Sequence, residues 1–199
     1  MVSNNLSLIK RAANTSNKSD LPDSYKLVES LLALEKAAKK EKIEHNFLDL
    51  VGTWNLRFIT GTKKTRNRAG IVLGAGRYIP QLIKIQITYD HNSQSIPNGG
   101  RVKNSVRLAG LNLSLTGPVK FIPQKNILAF DFTAMTVNVF GIKIYDGYVG
   151  KGNTREQEFY QTKISQQAFF SYFLIQEKFI AARGKGGGLA LWSRVALQN

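Results

Sequence analysis

Few side chains in this sequence could do covalent chemistry. Cysteine is absent, which excludes disulfides, thiolate zinc sites and a Cys nucleophile. The two histidines have no ligand-spaced neighbour. His45 lies between Glu44 and Asn46 in a connecting segment, and His91 sits in the polar turn Asp90-His91-Asn92-Ser93, so both read as solvated loop residues. No nucleophile–His–acid set and no metal-ligand cluster emerges, and the sequence predicts no catalytic residue, no metal and no cofactor. Catalysis by a cavity Tyr, Lys or Asp stays open at this point. Asp131 and Asp146 could anchor a ligand from inside a cavity, but turn or solvent roles suit them better, since Asp146-Gly147 is a turn signal. The run Arg183-Gly184-Lys185-Gly186-Gly187-Gly188 is not a phosphate loop: the Gly-x-x-x-x-Gly-Lys-Ser/Thr pattern and its helix are missing. A hairpin with several positive-φ positions accounts for the glycines.

What remains is non-covalent chemistry. Phe58, Tyr89, Phe130, Phe132, Phe140, Tyr145, Phe170 and Tyr172 fall on alternating segments and form the candidate ligand-binding set. Each could equally be plain core, but as a group they suit a long conjugated or prenyl ligand, whose sites are mostly apolar with few polar anchors. Lys63, Lys64, Arg66, Arg68 and Arg77 gather around Ile71, Val72, Leu73 and Ile79. This cluster is either a solvated loop or a membrane contact that holds anionic headgroups while apolar side chains insert.

Charge supports a polyanionic partner. The formal net charge is +15, and residues 46–199 hold 20 basic against 7 acidic side chains. An anionic bilayer or a nucleic acid would both attract such a domain. No helix-turn-helix, zinc finger or RNP-like strand is present, which disfavours nucleic acid.

These residues must be positioned by a chain of 199 residues, enough for one domain with an N-terminal appendage. Residues 1–20 are Asn/Ser-rich and read as a disordered tail. Residues 21–46 hold a helix that begins near Leu21-Pro22-Asp23-Ser24, with Leu27, Val28, Leu31, Leu32, Leu34 and Ala38 on one stripe. Its far side, Glu35, Lys36, Lys39, Lys40, Glu41 and Lys42, reads as solvated, and the helix is expected to dock on the remaining domain or plug one end of it. From 47 to 199 the period changes towards 2. Strands are expected at 53–60, 81–90, 102–108, 112–116, 119–122, 127–133, 136–140, 142–149, 157–163, 167–175, 178–183 and 188–195, with some merging. Residues 66–80 resist the pattern and could be a short helix or a lid-like loop. Many short strands with Gly-marked turns predict a mainly β fold, and strands that continue to the C-terminus favour a closed antiparallel barrel over a sandwich.

Two segments carry a resemblance. Leu50-Val51-Gly52-Thr53-Trp54-Asn55-Leu56 is similar to the L-x-G-x-W-x-L opening of the plastid lipid-associated protein (PAP) or fibrillin family. Phe179 to Leu191, with Arg183-Gly184 at its turn, resembles that family's closing hairpin. The family hairpin has an Asp and a further Arg where this chain has Gln176 and Ile180, so the ligand chemistry would differ and the interior would be more apolar. The resemblance implies a lipocalin-like β-barrel, without catalytic activity, that binds a lipid, carotenoid or quinone beside a photosynthetic membrane. In such barrels the Trp closes one end beneath a basic residue of the last strand. Trp54 would therefore stack with Arg194, or else with Arg183. The implied location is peripheral to a thylakoid membrane in a cyanobacterial cytoplasm, or in a plastid if the N-terminus is a transit peptide.

Overall fold

A computed structural model of the protein describes residues 2–15, 17–61, 76–91 and 97–196. Within them the first strands are β1 (Gly52–Ile59), β2 (Arg77–Tyr78), β3 (Lys84–His91), β4 (Gly99–Leu108), β5 (Leu111–Ile122) and β6 (Ile127–Phe130). They are followed by β7 (Ala134–Val139), β8 (Ile142–Tyr148), β9 (Ala168–Ile175), β10 (Phe179–Gly184) and β11 (Leu189–Arg194). Among the described residues three α-helices accompany them: α1 (Val2–Asn14), α2 (Ser24–Glu41) and α3 (Gly152–Glu158). Eight strands close an antiparallel barrel in the order β1-β3-β4-β5-β6-β9-β10-β11, with β11 paired back to β1. The expected mainly β barrel with an N-terminal helical segment is therefore present. Closure leaves no edge among those eight strands.

One expected merger is found, and two expectations change. The segments 112–116 and 119–122 are one strand that runs through Gly117-Pro118. Up to Thr116, β5 pairs with β7, and from Val119 it pairs with β6. At the switch the chain crosses so closely that a Cβ on Gly117 would lie 2.0 Å from the Asp131 carbonyl oxygen. Residues 157–163 are not a strand: they hold the end of α3 and a turn, with Phe159 the one ring buried beneath them. The N-terminal residues expected as a loose tail form α1, because Ile9, Ala12 and Ala13 find an apolar partner in α2.

That pair of helices lies on the outside of the wall. Leu27, Leu31 and Leu34 of α2 join Ile9 of α1 against Leu174, Phe179, Ala181, Leu189 and Leu191. Asp23 caps α2 by accepting from the Lys26 backbone N–H at 3.1 Å. Glu35, on the face expected to be solvated, is buried. It accepts from Arg183 Nε at 2.7 Å and from Arg183 Nη2, and these bonds hold its carboxyl below the usual carboxylate range against the opposing effect of burial. Arg183 also donates to the Gly187 carbonyl, so it fastens helix to hairpin and is not the partner of Trp54. Within that hairpin only Gly187 takes a positive φ, +85°, fewer than the several expected.

The other basic candidate holds the barrel end. Trp54 lies opposite Arg194 in the β1–β11 register, and the guanidinium carbon sits 3.9 Å from the centre of the indole ring. Trp54 Nε1 donates to the Leu50 carbonyl at 2.8 Å, while Arg194 donates to the carbonyls of Val51, Asp49 and Glu177. Phe47 and Leu50, in the short 3-10 turn before β1, are buried beneath. Replacing Trp54 by Ala removes a fully buried ring and should cost about 3–5 kcal/mol. Arg194→Met keeps an apolar stem on the ring, removes the cation–π stack, about 0.5–2 kcal/mol, and frees three carbonyls that water can reach, so it should cost less. Urea denaturation checks the ranking, and a Trp54→Ala protein as stable as the native one would contradict the barrel-end role.

Candidate functional site

Trp54 and Leu56 of β1 point into the barrel, but a bulge between Leu56 and Phe58 reverses the alternation. Phe58 consequently faces outward, into the layer beneath α1 and α2, and its ring meets Tyr78 edge-on at 5.0 Å. Its expected place in a ligand chamber is therefore corrected. Phe140 also leaves the set, as a positive-φ residue (48°) in the β7–β8 turn that is 80% exposed. Tyr145 lies on β8, outside the closed barrel, and its hydroxyl donates to the Tyr148 carbonyl.

Tyr89, Phe130, Phe132, Phe170 and Tyr172 do come together inside. They pack largely against one another. Phe130 stacks on Phe170 at 5.0 Å and touches Phe132 at 5.2 Å, and Phe170 meets the Trp192 ring at 5.4 Å. Lower down, Phe47 lies 6.4 Å from both Tyr89 and Phe121. The lower half of the barrel is thus filled by its own rings. At its centre the hydroxyls of Tyr89 and Tyr172 stand 2.7 Å apart, one donating to the other. Burial pushes both phenols well above their ordinary range, so the pair stays neutral.

Above this plug the wall opens among the described residues. β1 pairs with β3 only from Gly52 to Asn55 and then turns to β2, while β3, β4, β5, β7 and β8 continue as a five-strand sheet. The register aligns Ile85, Val106, Leu113, Val137 and Tyr145 in one row across that sheet. Leu108, Leu111, Val139 and Ile142 form the row above it, and Leu115 with Met135 lies in the row below. All of these positions share a face with Tyr89, Val102, Val119 and Phe121, which point into the barrel. The barrel's apolar lining therefore runs onto an open sheet whose side chains are half-buried or exposed, with Asn104, in the row of Leu115 and Met135, a polar side chain on the same face. Phe132 and Phe170, also half-buried, stand where the two meet.

Sequence reasoning missed these aliphatic positions because it weighed rings above all. Their signal was available in the strict alternation of Leu111, Leu113 and Leu115 and of Met135, Val137 and Val139.

The opposite face of the same sheet is polar. Lys84, Gln86, Thr88, Lys103, Ser105 and Arg107, with Asn55, Asp90 and Arg194, line a groove of about 1190 Å³ on the outside of the wall. Gln86 donates to Asn55 and accepts from Arg107 there. The two candidate acids are peripheral: Asp131 pairs with Arg155 at 3.3 Å, and exposed Asp146 pairs with Lys143 at 2.8 Å and accepts from Thr136. His91 is exposed, and His45 stands 3.6 Å from Asp49. Of the expected membrane-contact residues, Arg77 is exposed on β2. Lys63, Lys64, Arg66 and Arg68 lie outside the described residues, as does most of the expected lid-like segment. No described helix is long and apolar enough to cross a membrane.

No family model and no curated protein matches this chain. Among solved structures it is similar to a redesigned β-barrel, with 12% identity and a TM-score of 0.37 over 78% of this chain and 99% of that one. It is also similar to a protein of unknown function from the DUF3598 family of Nostoc punctiforme, with 13% identity and a TM-score of 0.28. That match covers 76% of this chain and 50% of the Nostoc protein, so this chain spans about half of its length. Neither likeness adds to what the strand pairing shows.

Losing one member of the tyrosine pair strands the other hydroxyl in an apolar interior. Tyr89→Phe and Tyr172→Phe should each cost about 1–3 kcal/mol, and the double variant should cost less than their sum. Denaturant midpoints for the four proteins give the coupling, and strict additivity would contradict a paired, otherwise unsatisfied bond.

Proposed function

We propose that this protein binds a hydrophobic small molecule, without transforming it, on the apolar face that continues from the barrel interior onto the open sheet. The continuity of that face carries the reading. A filled lower barrel gives a floor, the half-buried Phe132 and Phe170 give an aromatic wall, and Leu113, Leu115, Met135 and Val137 give a broad aliphatic surface. Such a surface suits a flat or extended apolar molecule, which would gain by leaving water along its whole length. Tyr89 and Tyr172 satisfy each other and leave the floor without a free polar anchor, in keeping with a lipid, carotenoid or quinone. The resemblance to the PAP/fibrillin family supports the same class of ligand and a place beside a photosynthetic membrane, and its Trp54 and Arg194 hold the barrel end.

A second reading rests on the outer groove, where Lys84, Lys103 and Arg107 could follow a polyanion such as single-stranded RNA. Steeply salt-dependent RNA binding that Lys103→Glu abolishes would favour it.

The test of the first reading is extraction of the protein, purified from a photosynthetic host, with organic solvent. A pigment, quinone or lipid in stoichiometric amount is expected. With the recombinant protein, Leu115→Gln together with Met135→Gln should weaken binding of a polyene fatty acid by about tenfold while leaving the fold intact. An empty extract together with no polyene binding by the native chain would end the ligand reading.

A further inference from the structure

Apolar side chains are unevenly spread over the outside of this protein. Of the thirteen large hydrophobic side chains described as exposed, eight lie on the β7–β8 hairpin, the β4–β5 turn or the link into β3. Leu82, Phe140, Ile142 and Ile144 are 86%, 80%, 66% and 62% exposed. They are not scattered along the sheet. Leu108, Leu111 and Ile142 stand in one row across β4, β5 and β8, and Phe140 sits at the turn beside them. The two turns are joined. Phe140 N–H donates to the Gly110 carbonyl at 2.8 Å. The Phe140 ring lies so close over Gly110 that a Cβ there would come within 2.6 Å of it. Gly110, at a φ of +84°, is thus required twice, for its conformation and for this approach.

Cations stand just behind this rim. Lys84 and Arg107 face each other across β3 and β4, next to Leu108, and among the described residues neither has an ion-pair partner. Lys143 lies between Ile142 and Ile144 and is 61% exposed at its side chain, although it shares its charge with Asp146. Apolar side chains at a tip with bases set back from it match the layering of a bilayer surface, acyl chains within and headgroups outside. The net charge of +15 selects anionic headgroups.

We infer that this rim, formed by the β4–β5 and β7–β8 turns and led by Phe140 and Ile142, enters the surface of an anionic bilayer while Lys84 and Arg107 hold the headgroups. Its residues are other than Lys63, Lys64, Arg66 and Arg68, which lie outside the described residues. It deepens the ligand-binding reading and rests on it for one point only: the apolar face would then open directly at the membrane, where its ligand dissolves. A second copy of the chain is the competing occupant, since among the described residues β8 ends the sheet. The bulge at Val137/Asn138 and the charged Lys143 and Asp146 interrupt that edge and disfavour a continuous ladder between two copies.

The test uses the full chain carrying Phe140→Trp. Trp54 and Trp192 are buried, so the added indole reports the rim. Its emission should shift to the blue, and brominated acyl chains should quench it, with vesicles of phosphatidylcholine and phosphatidylglycerol but not with phosphatidylcholine alone. The otherwise native chain with Phe140→Ser and Ile142→Ser should bind the mixed vesicles at least about tenfold more weakly. Both positions are exposed, so its melting temperature should be unchanged. Three results would overturn the inference: an unquenched indole on protein that sediments with vesicles, equal sedimentation of the native and Ser variants, or a native dimer that the Ser variant converts to monomer. Polyene binding in vesicle-free solution separates the two readings. Its absence, with quenching intact, removes the ligand reading and leaves the membrane rim standing.

Discussion

The open half of this molecule depends on one mismatch of length. β4 and β5 run for ten and twelve residues, whereas β1 stays with β3 for only four paired positions. A barrel whose strands all ended together would present polar turns at both rims. Here the long pair continues past the point where β1 leaves, and β7 and β8 add themselves to it through Leu111 to Thr116. The alternation that points Tyr89, Val102 and Phe121 inward therefore keeps pointing apolar residues the same way after the opposite wall has ended. An apolar interior becomes a mainly apolar surface, with Asn104 between the two.

The other end shows how the same wall is closed. Registering Trp54 opposite Arg194 places a planar cation on a buried ring, and the remaining N–H groups of that cation reach three backbone carbonyls from both sides of the seam between β1 and β11. Burial lowers the affinity of Arg194 for its proton, but a guanidinium stays charged in proteins, so the stack persists at any physiological pH. The Arg183–Glu35 pair does a similar service on the outside, where it joins α2 to the final hairpin across 148 residues of sequence. Both arginines of the closing segment are structural, but only one of them serves the barrel end.

Much of this was legible in the residues. Alternation and Gly-marked turns give nearly every strand, and the resemblance to lipocalin-like barrels implies a basic partner for Trp54, with Arg194 ahead of Arg183. The failures share a cause: each turned on contacts that only the folded chain makes. A bulge at one residue sends Phe58 outward, and no local pattern marks it. Glu35 reads as a solvated helical carboxylate until Arg183 arrives from the far end of the chain. Phe159 looks like a strand residue because one buried ring in a short helix leaves no period to detect. The proposed ligand face was overlooked for a different reason. Leu113, Leu115, Met135 and Val137 are unremarkable as types, and they form one apolar face only because their strands outrun the barrel.

The central claim is that a hydrophobic molecule lies along this continuous face. Photolabelling the native protein with a diazirine-bearing fatty acid and mapping the adducts by mass spectrometry tests it most directly. The account predicts adducts on residues 106–115 and 132–139. Adducts confined to the outer groove of Lys84, Lys103 and Arg107, or to the cleft between Leu21 and Ile79 outside the wall, would contradict it.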